Sequence, residues 1–159
     1  MGDLTKIFTI PTTMVSTIGE CSAVCEDTLG SGGRLACPKD MVEWNGLSQA
    51  EASRSDEGVD RVGSTGAAFT GAYMPGSGVW ECADGDPVFV GAWEKGQPDR
   101  GSKMCDVVEL CTHVTFDAEK LEFNDIACDL TGTGSRSYVV TSSRCACEAV
   151  VGGGEGDSR

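Results

Sequence analysis

The stretch MCDVVELCTHVTFDAEKLEFNDIACDLTGTGSRSYVVTSSRCACEAVV, Met104 to Val151, decides how the chain reads. It holds five of the nine cysteines (Cys105, Cys111, Cys128, Cys145, Cys147), the single histidine, His113, and three runs rich in β-branched residues. Asp117–Lys120 and Thr131–Gly134 separate those runs as turns. Taken as a strand, the first run lines one face with Val108, Leu110, Thr112, Val114 and Phe116, and the other with Cys105, Cys111 and His113. Val107, Leu110, Cys111 and Val114 also fall at helical spacing,. The density of Val and Thr, whose branched side chains are stiff in helices, favours the strand. In Leu121–Leu130, Ile126, Cys128 and Leu130 keep a period of two, with Asn124-Asp125 as a bulge or break,. Arg136–Val151 puts Val139, Thr141, Cys145, Cys147, Ala149 and Val151 on one face. The last two runs predict an antiparallel hairpin, and the three together a meander.

Cys145 and Cys147 are two residues apart, so on a strand their Cα atoms lie ~6.5–7 Å apart with parallel Cβ vectors, which prevents them from bonding each other. Cys21 and Cys25, four apart, share one face of a helical turn and reach two separate partners more readily than each other,. At least one disulfide is expected to tie the N-terminal half to the C-terminal unit. All nine cysteines (Cys21, Cys25, Cys37, Cys82, Cys105, Cys111, Cys128, Cys145, Cys147) are disulfide candidates, and the odd count leaves at least one without a partner in the chain,. Zinc is the competing reading. The spacings oppose it, because there is no Cys-x-x-Cys and no second histidine,.

Upstream, Leu4–Ile10 reads as a strand closed by Pro11, and Thr12–Ile18 as a second extended piece,. Leu29–Arg34 is a glycine-serine loop, and Cys37 before Pro38 is extended,. Asn45-Gly46 reads as a turn, and Ser48–Val62 as an exposed helix or loop with Ser48 at its cap and Glu51 at the capping-box position,. Gly58–Gly78 reads as a loop around Phe69, Tyr73 and Met74; Gly63-x-x-Gly66 lacks the lysine of a phosphate loop,. Val79–Cys82 and Pro87–Trp93 are expected as two strands joined by Ala83-Asp84-Gly85-Asp86,. Those carboxylates invite comparison with a Ca²⁺ loop, but the twelve-residue ligand pattern is missing.

Glycine supplies 22 of 159 residues, about twice its usual ~7% share, which favours turns and short elements over long helices,. The fold expectation is therefore mainly β: a small disulfide-stabilised antiparallel sandwich or irregular barrel over residues 1–151, with long glycine-rich loops and a glycine-rich tail at 152–159. The net charge of −13 is spread along the chain, with 15 acids and 8 bases before residue 104 and 8 and 3 in the stretch quoted above. No basic stripe exists to meet phosphates, so nucleic acid and anionic membranes are poor partners. No apolar run approaches the ~18 residues of a membrane span.

Disulfides imply an oxidising setting, extracellular or at a cell or virion surface. Met-Gly-Asp-Leu-Thr-Lys shows no signal-peptide pattern,. The functional expectation is a non-enzymatic structural or binding module with a protein partner, self-association or a glycan as its ligand, and with no cofactor. Self-assembly into a filament, coat or surface layer is its specific form, with strand addition by Leu4–Ile10. Trp44, Trp80, Trp93, Tyr73 and Tyr138 are the aromatic candidates for a glycan platform,. Two alternatives remain. One is a small secreted hydrolase using His113 with Cys111, although no Gly-x-Ser-x-Gly supports it,. The other is an intracellular thiol- or metal-binding protein.

Overall fold

The computed structural model describes residues 5–52, 68–74, 79–98, 111–117, 120–126, 128, 130 and 143–151. Among these residues, two small sheets, two α-helices and a short 3₁₀ turn at Ile18–Glu20 make up the architecture, which is neither a pure sandwich nor a barrel. The first sheet has the order β1-β7-β2, from β1 (Thr5–Thr9), β2 (Arg34–Leu35) and β7 (Cys147–Val151). The second has the order β5-β4-β3-β6, from β3 (Ala68–Tyr73), β4 (Cys111–Asp117), β5 (Lys120–Ile126) and β6 (Arg144–Cys145). Helices α1 (Cys21–Leu29) and α2 (Met41–Ala52) lie between β1 and β3 in the chain.

β4 and β5 pair antiparallel, the first half of the expected meander, from Cys111↔Ile126 to Asp117↔Lys120. The hairpin expected of the last two runs does not form, so the third run does not complete a meander. Its β6 pairs in parallel with β3, and β7 pairs antiparallel with β1 and β2. Ala146 carries the chain from one sheet to the other, donating its N–H to Phe69 and accepting from the N–H of Ala36. Gly58–Gly78, read as a loop, contains the central strand β3. Its small residues have a packing reason: Gly71 donates to the carbonyl of Ala36, and a Cβ there would lie 3.1 Å from the Leu35 carbonyl oxygen. The expected strands around Asp84-Gly85 are reduced to isolated bridges at Glu81, joined to Tyr73 and Pro87.

In α1 only Cys21 and Cys25 are fully buried. They bond Cys145 and Cys147, with Cα separations of 5.6 and 5.3 Å, and so staple the helix to the strand run that joins the sheets. A stripe of two cysteines replaces the wider apolar face a surface helix normally buries. Cys37–Cys82 and Cys111–Cys128 complete four disulfides. Eight of the nine cysteines are therefore neither thiols nor metal ligands, which counts against the intracellular thiol or metal reading. The eight pair among themselves; Cys105 and the tail at 152–159 lie outside the described residues.

α2 begins earlier than the sequence implies. Asp40 Oδ1 accepts the Glu43 N–H at 2.9 Å as its cap, and the Asn45-Gly46 turn signal is absorbed into the helix,. A Cβ at Gly46 would sit 3.0 Å from the Phe8 ring, so contact with β1 outweighs the ~1 kcal/mol that a helical glycine costs,. Trp44 and Leu47 bury the opposing face among Ile10, Val114 and Phe123. A second cluster gathers Phe69, Cys111, Ile126 and Leu130 around the twin disulfides. The larger sheet lies between the two clusters, so both of its faces are covered.

Beside α2, the nearly buried Glu148 joins three elements of this architecture. Its Oε2 meets Arg34 Nε at 3.0 Å and Lys6 Nζ at 3.3 Å, and its Oε1 accepts the Cys37 N–H at 2.8 Å. Lys6 also pairs with Glu43 of α2 at 2.8 Å.

Two glycines are required by close approach. A Cβ at Gly91 would lie 2.5 Å from Trp44 Nε1, and one at Gly33 would penetrate the Cys25 carbonyl oxygen. Gly91→Ala is expected to destabilise by ~1–3 kcal/mol, lowering Tm by roughly 3–10 °C, and Gly33→Ala by more because a backbone atom cannot move aside. Thermal unfolding followed by circular dichroism checks the order; equal Tm values for Gly33→Ala and the unsubstituted protein would contradict it.

Candidate functional site

The outer edge of β5 is extended by a segment from the polar connection that follows Trp93. Phe123 donates its N–H to Ala92 at 2.9 Å and accepts the Glu94 N–H at 2.8 Å, forming a parallel bridge between Trp93 and Phe123. The chain then turns from Glu94 to Gln97, closed by the Gln97 N–H on the Glu94 carbonyl at 2.9 Å. Gly96 takes φ +87° at the third position of this turn, where a side chain would be strained,. The next peptide bond, Gln97–Pro98, is cis. The bonds to Phe123 set Glu94 beside its backbone, next to Asn124 in the strand. Asn124 Oδ1 is buried without a hydrogen-bond partner among the described residues.

Aromatic rings flank the turn. Trp93 stands edge-on to Phe123 at 5.9 Å, and Trp80 lies 5.7 Å from Trp93, both half-buried. Of the other aromatic candidates, Trp44 is a core residue packed on Phe123, Tyr73 lines a separate cavity, and Tyr138 lies outside the described residues. The loop that presents Trp80 is anchored by Cys37–Cys82.

At the tip of that loop, Lys39 Nζ contacts Asp84 and bonds Asp86 at 2.9 Å. The hydrogen bond from Lys39 holds the Asp84 carboxyl below its usual range, and the bonds to Asp84 and Asp86 raise Lys39. The two carboxylates considered for Ca²⁺ are thus engaged by a lysine, around a Gly85 at φ +89°. Among the described residues, no three His, Cys, Asp or Glu side chains gather as a metal set.

The Cys111–His113 dyad does not form. Cys111 is bonded to Cys128, and His113 is buried, because the second core cluster covers its face. His113 lies between Phe69 and Asn124 in the sheet register, and neither ring nitrogen has a hydrogen-bond partner among the described residues. Asn124, Glu94 and Gln97 were not legible as a site. Their one sequence signal was a polar Asn-Asp pair interrupting an alternating strand, which reads equally well as a bulge.

No protein-family model matches the sequence, and no curated protein matches it either. Solved structures do resemble it. The C-type lectin domain of murine dendritic cell inhibitory receptor 2, determined in complex with N-glycan, superposes with a TM-score of 0.59 at 16% identity over 91% of this chain and 90% of that one. The mouse scavenger receptor C-type lectin carbohydrate-recognition domain gives 0.60 at 19% identity over 90% and 88%. The fold is that of C-type lectin domains. CEL-I, a C-type lectin from Cucumaria echinata, agrees at 0.58 and 16% identity over 92% and 90%. The expectation of a small, disulfide-rich, mainly-β fold holds, and its finer part, a sandwich or barrel, is corrected: the C-type lectin arrangement combines helices with its sheets.

Burial pushes the pKa of His113 down from 6.5 to about 4. An unfolded histidine takes up its proton near pH 6.5 and the folded one only near 4, so this contribution to stability is complete above 6.5 and is lost as pH falls through that window,. The loss amounts to ~3 kcal/mol at ~1.4 kcal/mol per unit. In denaturant unfolding at the two ends of the window, His113→Leu should lose less stability on acidification than the unsubstituted protein. Equal acid sensitivity would contradict the assignment.

Proposed function

We propose that this chain is a non-enzymatic glycan-binding module of an extracellular or surface-exposed protein. The observation that carries this reading is the outer edge of β5, where the Phe123 backbone holds Glu94 of the Glu94–Gln97 turn and the next residue, Asn124, has its Oδ1 buried with no hydrogen-bond partner among the described residues. A buried polar atom without a partner costs ~1–3 kcal/mol, and a ligand hydroxyl that donates to it recovers that cost. Amide and carboxylate groups bond vicinal hydroxyls, while Trp80 and Trp93 offer ring faces to the apolar side of a sugar. The C-type lectin fold supports the same reading, since its solved neighbours include carbohydrate-recognition domains. The four disulfides support the oxidising setting,.

A glycan array followed by titration of the best ligand tests this reading. Asn124→Ala and Trp93→Ala should each weaken binding by about tenfold or more, the effect of losing ~1.4 kcal/mol or more. The titration is run with and without a divalent-cation chelator, because amide and carboxylate oxygens also suit hard cations. An empty array, or an unchanged affinity in Asn124→Ala, defeats the reading.

Self-association is the second reading, favoured by the position of β1. It is an outer strand of its sheet, with Thr5 and the large apolar Ile7 exposed,. Light scattering should then show a concentration-dependent dimer that Ile7→Lys abolishes; a monomer at all concentrations removes this reading.

A further inference from the structure

A cavity of about 450 Å³ opens between the start of α1, β2, the end of β3 and the disulfide-anchored loop. This lies within the ~300–1,000 Å³ of typical small-molecule sites. Ile18, Leu35, Tyr73 and the Cys37–Cys82 disulfide give it largely apolar walls, and Ala83 stands exposed among its lining residues. Glu94, Gln97 and Asn124 take no part in it, so it is separate from the edge of β5.

One charged group among the lining residues is both fixed and available. Arg34 spends its Nε on Glu148 Oε2 at 3.0 Å, yet its side chain remains 57% exposed. Glu148 is itself 1% exposed and held by Lys6 and the Cys37 N–H, so it acts as a rigid anchor for the guanidinium. With Nε anchored, the two amino groups of Arg34 remain to form the fork that takes a carboxylate or sulfonate through paired hydrogen bonds. The acidic groups of the lining compete little for it. Glu148 is already shared among three donors, and Asp84 is engaged by Lys39 and the Asp86 N–H.

We infer that this cavity binds a small amphipathic organic anion, its apolar body between Ile18, Leu35 and Tyr73 and its acid group on Arg34. A neutral molecule of the same shape would fill the walls but leave the guanidinium in water. Anion and neutral analogue therefore differ in affinity, and the difference depends on Arg34. This inference does not rest on glycan binding.

Anilinonaphthalene sulfonate, an apolar fluorophore with one acid group, is the probe, and phenylnaphthylamine is its uncharged analogue. The native protein should bind the sulfonate saturably at one site per chain and the amine about tenfold more weakly, as expected for loss of a charge-assisted pair. Arg34→Gln should bring the sulfonate down to the affinity of the amine without changing the amine. Ala83→Trp, from an exposed position, should block both probes while near-ultraviolet circular dichroism stays native, which keeps the test readable if Arg34→Gln does not fold. Asn124→Ala should leave both affinities unchanged. No saturable binding of the sulfonate, equal affinity for the two probes, or undiminished sulfonate binding in either cavity variant would overturn the inference.

Discussion

The twin disulfides Cys21–Cys145 and Cys25–Cys147 are the constraint on which the other elements depend. They span 124 and 122 residues of sequence and join the first helix to the run that links both sheets. In the chain-entropy picture, closing a loop of ~100 residues restricts the unfolded chain by about 4–5 kcal/mol. The second bond adds less, because with the first in place it closes only the short ring through residues 21–25 and 145–147. Its effect is orientation. A helix held at one point can pivot, whereas one held a turn further along presents a fixed face to the sheet.

With that run fixed, the rest of the architecture follows from packing. β7 gives β1 and β2 a strand to pair with, and Ala146 hands the chain to β3. Glu148 leaves β7 on the face toward α2, where Lys6, Arg34 and the Cys37 N–H converge on it. A carboxylate this buried is tolerated only when paired and hydrogen-bonded on both oxygens. The same carboxylate orients Arg34 in the cavity. At the opposite edge of the larger sheet, Phe123 performs the corresponding task with backbone bonds and ring contacts, holding the Trp93–Gln97 segment against β5. Both candidate ligand regions are therefore loop or edge residues positioned by groups that themselves cannot move.

Much of the local structure was legible because its signals are local. Alternation in Cys111–Asp117 and Lys120–Ile126 and the turn between them place these two strands side by side, although the hairpin expected of the last two runs does not form. The spacing of Cys21 with Cys25 and of Cys145 with Cys147 excludes bonding within each pair. Other elements were misread where a distant contact outweighed a local signal. Asn45-Gly46 is a turn dipeptide by propensity, yet it lies in α2 because Phe8 needs the space a side chain would fill. β3 has the composition of a loop, because β2 crosses it too closely for larger residues.

Residue order alone pointed to the class of object: an acidic, glycine-rich, disulfide-stabilised chain with a strand-rich C-terminal stretch. Cysteine spacing, charge and alternation act over a few residues, so the sequence carries them directly. Tertiary structure decided which strand lies beside which, that the last run leaves the hairpin for a second sheet, and that His113 is buried. It also brought Phe123 to the start of the Glu94–Gln97 turn and Arg34 to Glu148. Those pairs lie far apart in sequence, and each forms through backbone pairing or a buried charge whose partner no local pattern specifies.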